Sequence, residues 1–216
     1  MIVTKQKEFD DIIKCISKGP VFIVGCSECA TVCHTGGEEE VLSMKKTLEK
    51  KDIKITGWVI LEPACNFQKD KRLLKNHKKE IEKAKKILVL ACGNGAQTVS
   101  EIIEDIDIVP GCDTLFLGEI KHANNFEKRC TLCGECIQDV FDSFCPVARC
   151  PKSMLNGPCG GAKNGKCEIG NDIDCIWDTI YKDLKKKGQL YRLKEIKKPK
   201  DWSKSIETRR TIQNEL

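Results

Sequence analysis

Seven cysteines fall within the forty residues RCTLCGECIQDVFDSFCPVARCPKSMLNGPCGGAKNGKCE (129–168), and three of them, Cys130, Cys133 and Cys136, are spaced C-x2-C-x2-C. Ferredoxin-type four-iron clusters take three thiolates from that spacing and a fourth from a Cys-Pro. Two such pairs lie downstream, Cys145-Pro146 and Cys150-Pro151, and neither is at the ferredoxin distance, where residue 140 is Val. Once one cluster is completed, the other Cys-Pro cysteine remains with Cys159, Cys167 and Cys175. Four thiolates satisfy a structural zinc or another cluster. NGPCGGAKNGKCE reads as a knuckle whose glycines let backbone approach a metal, and the segment has too few apolar runs to build a core by burial. Metal ligation is expected to fold it.

A second constellation opens at CSECATVC, where Cys26, Cys29 and Cys33 are separated by small residues that let a loop wrap a bound group. A fourth ligand is expected from Cys65 or Cys92, and a four-iron cluster is the natural occupant because all its protein ligands can be thiolate. The alternative for Cys65, Cys92 and Cys112 is that each is a small buried hydrophobe. Cys15 is expected to pack in its helix. His34 reads as a polar loop residue, and His77 and His122 lack metal-site spacing. GNG after Cys92 is not accompanied by a G-x-G-x-x-G or a P-loop lysine, so no nucleotide site is expected.

These cysteines need elements to carry them. Phe9, Ile12, Ile13 and Ile16 have helical spacing up to Gly19-Pro20, and VFIV (21–24) reads as a strand followed by a helix with Val41, Met44 and Leu48 inward. IKITGWVIL, ILVLA and IDIVP read as further strands, and 69–86 and 98–106 as helices. Leu73, Leu74, His77, Ile81 and Ala84 would face inward. The alternation implies an α/β fold with an open parallel sheet, Rossmann-like or flavodoxin-like. Cys26, Cys65, Cys92 and Cys112 each follow a strand, so they would meet along the carboxyl edge where such sheets bind ligands. The expected organisation is an α/β domain (1–121), a small Cys-rich cluster- or metal-binding domain ending in a helix with Ile176, Trp177, Ile180 and Leu184 on one face (122–188), and a basic docking tail (189–216).

Composition constrains the occupant. The chain has 216 residues, 40% of them hydrophobic, enough for an ordinary core, so 15 cysteines exceed what packing needs. The first residues carry acids and no long apolar run, and no stretch reaches the roughly 18 apolar residues of a membrane span. A cytoplasmic location is therefore expected, where thiols stay reduced and clustered cysteines serve as ligands rather than disulfides. The formal charge of +5 is concentrated in 182–200, but aromatic residues are too sparse there to stack bases, so no nucleic-acid partner is expected.

CTLCGECIQDVFDSFCPVARCPKSMLNGPCGGAKNGKCE, CIWDTIYKDL and PKDWS together resemble the methylenetetrahydrofolate reductase C-terminal domain family, and GCSECATVCHTGGEEEV resembles the N-terminal part of the same proteins. The similarity is to the small cysteine-rich (MetV-type) subunits of acetogenic bacteria. It implies a non-catalytic redox subunit in a hetero-oligomer, with two 4Fe-4S clusters, or three if the remaining cysteines form their own site, and with zinc as the alternative in the C-terminal half. It also implies a MetF-type TIM-barrel partner that holds FMN and performs the hydride chemistry, and ferredoxin or another redox protein as electron donor. Trp202 and Lys194 to Lys200 are expected to contribute to binding that partner.

Overall fold

The computed structural model describes residues 1–16, 19–122 and 125–205. The chain divides into two compact units, Met1–Phe126 and Glu127–Leu216.

The N-terminal unit runs β1 (Ile2–Gln6), α1 (Phe9–Ile16), β2 (Val21–Cys26), α2 (Cys29–Val32), α3 (Glu38–Glu49), β3 (Ile55–Leu61), α4 (Phe67–Asn76), α5 (Lys78–Ile81), β4 (Lys86–Leu90), α6 (Gly93–Ile102), β5 (Asp107–Pro110) and β6 (Cys112–His122). Four strands form a parallel sheet in the order β3-β2-β4-β5. Counting only parallel strands this is 2-1-3-4, an order shared with flavodoxin-like sheets, and it reverses between β2 and β4. Every residue of β2 is buried, because a central parallel strand is covered on both faces. Alternation sorts its side chains. Phe22 and Val24 join Ile87, Val89, Leu74 and Val99 on one face, while Val21 and Ile23 join Leu88, Leu90, Ile12 and Val41 on the other.

Several elements depart from the sequence reading. β1 pairs antiparallel with β6, from Ile2 opposite Leu117 to Gln6 opposite Cys112. Both strands alternate polar and apolar residues too irregularly to stand out. The single helix expected over 69–86 is two, α4 and α5, divided at His77, whose ring packs against Phe22 at 5.8 Å between centroids and bonds Glu80 at 2.7 Å. The helix expected over 98–106 begins at Gly93, so GNG is its first turn rather than a loop. Cys15 is exposed, not packed, because Ile12 and Ile16 take the buried stripe of α1 and leave residues 11, 14 and 15 outside.

β7 (Asn125–Lys128) carries the chain across the boundary. The second unit contains α7 (Pro146–Arg149), the short hairpin of β8 (Lys166–Cys167) and β9 (Gly170–Asp174), α8 (Ile176–Lys186), and two 3-10 turns, η1 (Leu190–Lys194) and η2 (Trp202–Lys204). α8 buries Ile176, Trp177, Ile180 and Leu184 against Phe141, with the Phe141 and Trp177 rings edge-on at 5.3 Å. Leu190 and Leu193 pack on the same cluster, so the first part of the expected docking tail lies on its own unit. The remainder, 206–216, is outside the described residues.

Replacing Leu88, fully buried in the central layer, with alanine is expected to destabilise the N-terminal unit by about 3 kcal/mol. Guanidinium unfolding monitored by circular dichroism checks it.

Candidate metal centres

In the N-terminal unit, the switch point between β2 and β4 is bordered by cysteines. Cys26 ends β2 and Cys92 is the residue before α6. Cys65 follows β3 and immediately precedes Asn66, whose side chain caps α4 by accepting from Lys69 N at 3.2 Å. The loop after Cys26 is drawn onto the strand ends. Cys26 N donates to Gly36 O at 2.8 Å and Ser27 N to Leu61 O at 2.9 Å, and a Cβ on Gly36 would collide with the Leu90 carbonyl. One turn of helix, α2, then sets Cys29 and Cys33 four residues apart on one side. Both reach β1: Ile2 N donates to Cys29 Sγ at 3.4 Å, and Cys33 Sγ approaches Ile2 O at 3.8 Å.

Electrostatics tie these thiols together. Partial burial, then the neighbouring Cys92 and Cys26, then the Asp70 carboxylate and Cys29 hold the Cys65 thiol above its usual range. Cys112 differs from the others. Burial pushes it up to about 12, with smaller contributions from Asp113, Cys92 and Cys33, and its sulfur bonds Thr35 O at 3.5 Å. It is a packed thiol at the start of β6.

The second unit gathers its eight cysteines into two sets. Cys130, Cys133, Cys136 and Cys145 line one cavity of about 30 Å³, together with Arg129, Thr131 and Lys200. Cys150, Cys159, Cys167 and Cys175 line another of about 20 Å³. The two Cys-Pro cysteines are thus divided between the sets. α7 divides them: Cys145 precedes its first residue, Cys150 follows its last, and one short turn points the two in different directions. The C-x2-C-x2-C loop is shaped by positive φ at Leu132 and Gly134, with Leu132 N donating to Cys130 Sγ at 3.3 Å. Cys133 Sγ bonds the Glu135 carbonyl at 3.4 Å; burial raises its thiol, but the Glu135 backbone and the nearby Lys200 ammonium outweigh burial, and the net shift is downward. Cys175 also borders an open apolar cavity of about 460 Å³ walled by Trp177, Tyr181, Leu193 and Ile196.

Among the described residues, no three Cys, His, Asp or Glu side chains are gathered closely enough to hold a single metal ion. The donor chemistry still suits a thiophilic group: each cavity of the second unit is ringed by four thiols. Sequence reasoning missed Lys200, counted there only as one charge in a basic run, and the Ile2 backbone that meets Cys29 and Cys33. His34 lies 3.7 Å from Glu40 and joins no set.

Residues 109–203 match the family described as methylene-tetrahydrofolate reductase C terminal. That segment includes both four-thiol sets and relates this part of the chain to methylenetetrahydrofolate reductase. No curated protein and no solved structure matches the chain. Among the described residues, no helix is long and apolar enough to cross a membrane.

Cys112 is expected to resist alkylation in the native protein at pH 8, while exposed Cys15 reacts, as mass-spectrometric mapping would show. Because its folded value lies above that of the unfolded thiol, the unfolded chain releases this proton first. Its contribution to stability therefore falls between about pH 9 and the folded value of about 12, and Cys112→Ala should flatten that decline.

Proposed function

We propose that this chain is the electron-transfer subunit, MetV-type, of a methylenetetrahydrofolate reductase, passing electrons through 4Fe-4S clusters to the flavin of a MetF-type catalytic partner. The observation that carries this reading is the presence of two separate four-thiol cavities within the segment that matches the reductase family. Cys130, Cys133, Cys136 and Cys145 would hold one group and Cys150, Cys159, Cys167 and Cys175 a second. Cys26, Cys29, Cys33, Cys65 and Cys92 offer ligands for a third at the switch point. When bound, such clusters supply reversible one-electron carriage at a potential set by charge, hydrogen bonds to sulfur and exposure.

The protein's part is to hold and tune. The Ile2 and Leu132 amides direct N–H groups at Cys29 and Cys130 and fix where each sulfur lies. Hydride transfer and flavin binding belong to the partner in this reading. Trp202, Tyr191 and Ile196 are exposed on the second unit and are suited to docking it.

A zinc-stabilised assembly subunit, docking the reductase to its electron-donating partners, is the second reading, and one observation favours it. Each of the two cavities is ringed by four thiols, the complement that a single tetrahedral structural zinc ion takes.

Iron, zinc and acid-labile sulfide per chain in anaerobically purified protein, with EPR after dithionite reduction, separate the two. About twelve irons are expected for three clusters and about eight for two. Zinc near two with no iron would overturn electron transfer. Cys159→Ser is expected to remove about four irons while leaving the rest. Trp202→Ala is expected to lower co-purification with the flavin subunit, and unchanged stoichiometry would place the dock elsewhere.

A further inference from the structure

The residues after Pro199 do not leave the second unit. They return across the C-x2-C-x2-C loop and are fastened to it along its length. Lys197 begins the return: its amide donates to Asn156 Oδ1 at 2.8 Å, and Asn156 Nδ2 donates to the Lys197 carbonyl at 2.8 Å. Lys200 Nζ then donates to the Glu135 carbonyl and stands on the wall of the cavity ringed by Cys130, Cys133, Cys136 and Cys145. Lys204 Nζ meets Glu135 Oε1 at 2.6 Å, and Ser205 Oγ donates to Leu132 O at 3.1 Å with its side chain buried. At Gly134 the backbone has φ 74°, and a Cβ there would collide with the Lys204 carbonyl. Loop and returning segment are therefore in direct backbone contact between two of the cysteines.

From this geometry we infer that residues 200–205 are a strap that locks the first four-thiol site, and that Lys200 is a positioning residue that places a fixed positive charge on Cys133. The inference rests on the proposal that this site holds a metal or cluster. Four thiolates around a di- or trivalent metal leave a net negative group in a small, partly buried cavity, and a cation beside one sulfur offsets it. Arg129, also on the wall, is paired with Glu127 at 2.8 Å, whereas Lys200 Nζ lines the cavity and donates to the Glu135 carbonyl, two residues from Cys133. A positive charge held on the wall beside ligating sulfurs retains the group and raises the potential of a cluster bound there. Among the described residues the strap's hydrogen bonds to the cysteine loops fall on Leu132 and Glu135 of the first set, so retention of the second should be independent of Lys200.

The test uses full-length, anaerobically purified protein as wild type, Lys200→Met and Lys200→Arg. Metal release is followed with bathophenanthroline for iron or pyridylazoresorcinol for zinc, and the freed thiols are located by N-ethylmaleimide labelling and mass spectrometry. In Lys200→Met, the set Cys130, Cys133, Cys136 and Cys145 is expected to label about tenfold faster, with Cys150, Cys159, Cys167 and Cys175 unchanged. Lys200→Arg should remain near wild type. Where iron is present, an EPR-monitored titration of Lys200→Met is expected to give a lower midpoint potential for one signal only, which loss of packing alone would not do. Equal labelling of both sets, no acceleration, or an unshifted potential overturns the inference. A wild-type protein that holds zinc and no iron overturns electron transfer but leaves the labelling comparison decisive for the strap. If Lys200→Met does not accumulate, Lys204→Ala and Ser205→Ala loosen the same strap without touching the cavity and should give a smaller acceleration of the same set.

Discussion

Thiols crowded into one place cannot all ionise, because each thiolate raises the cost of the next and burial raises it further. That constraint governs both units. At the switch point it is visible in Cys65, whose thiol is pushed upward by partial desolvation and by Cys92 and Cys26. Around the C-x2-C-x2-C loop it is partly relieved at Cys133 by the donors that surround the sulfur. A bound cation would complete that relief in either unit.

The units meet the constraint on different scaffolds. The parallel sheet has a two-sided apolar core, so its cysteines sit on strand ends fixed by β2, β3 and β4 whatever occupies the edge. Among the described residues the second unit has one buried cluster around α8, and the stretch from Cys130 to Cys175 carries only the single turn of α7 and a short hairpin. On the proposed reading, ligation of its four-thiol sets would take the place of a larger core. Losing a cysteine would then be a local event in the first unit and a structural one in the second.

The sequence made the parallel strands legible because VFIV and ILVLA are continuous apolar runs of the kind only a sheet covered on both faces requires. IVTKQ and CDTLFLGEIKH were not legible, since neither carries such a run and β6 exposes much of its length. The break at His77 was hidden because the apolar period continues through it. At the candidate centres, the spacing of Cys130, Cys133 and Cys136 pointed to one set, but its fourth member could not be chosen from spacing. The choice depends on the turn of α7 between Cys145 and Cys150. Lys200 was illegible for a related reason: a lysine among lysines has no sequence signal, and only the returning backbone brings it to Cys133.

The contact between Glu135 and residues 200 and 204 joins positions 65 and 69 apart. A ribosome makes chain from the N-terminus, so the Cys130 to Cys136 loop emerges well before the segment that closes over it. Throughout that interval three thiols stand open to solvent and oxygen with no lid. A group entering in that interval would meet a loop still accessible, and the arrival of residues 200–205 would shut the door behind it.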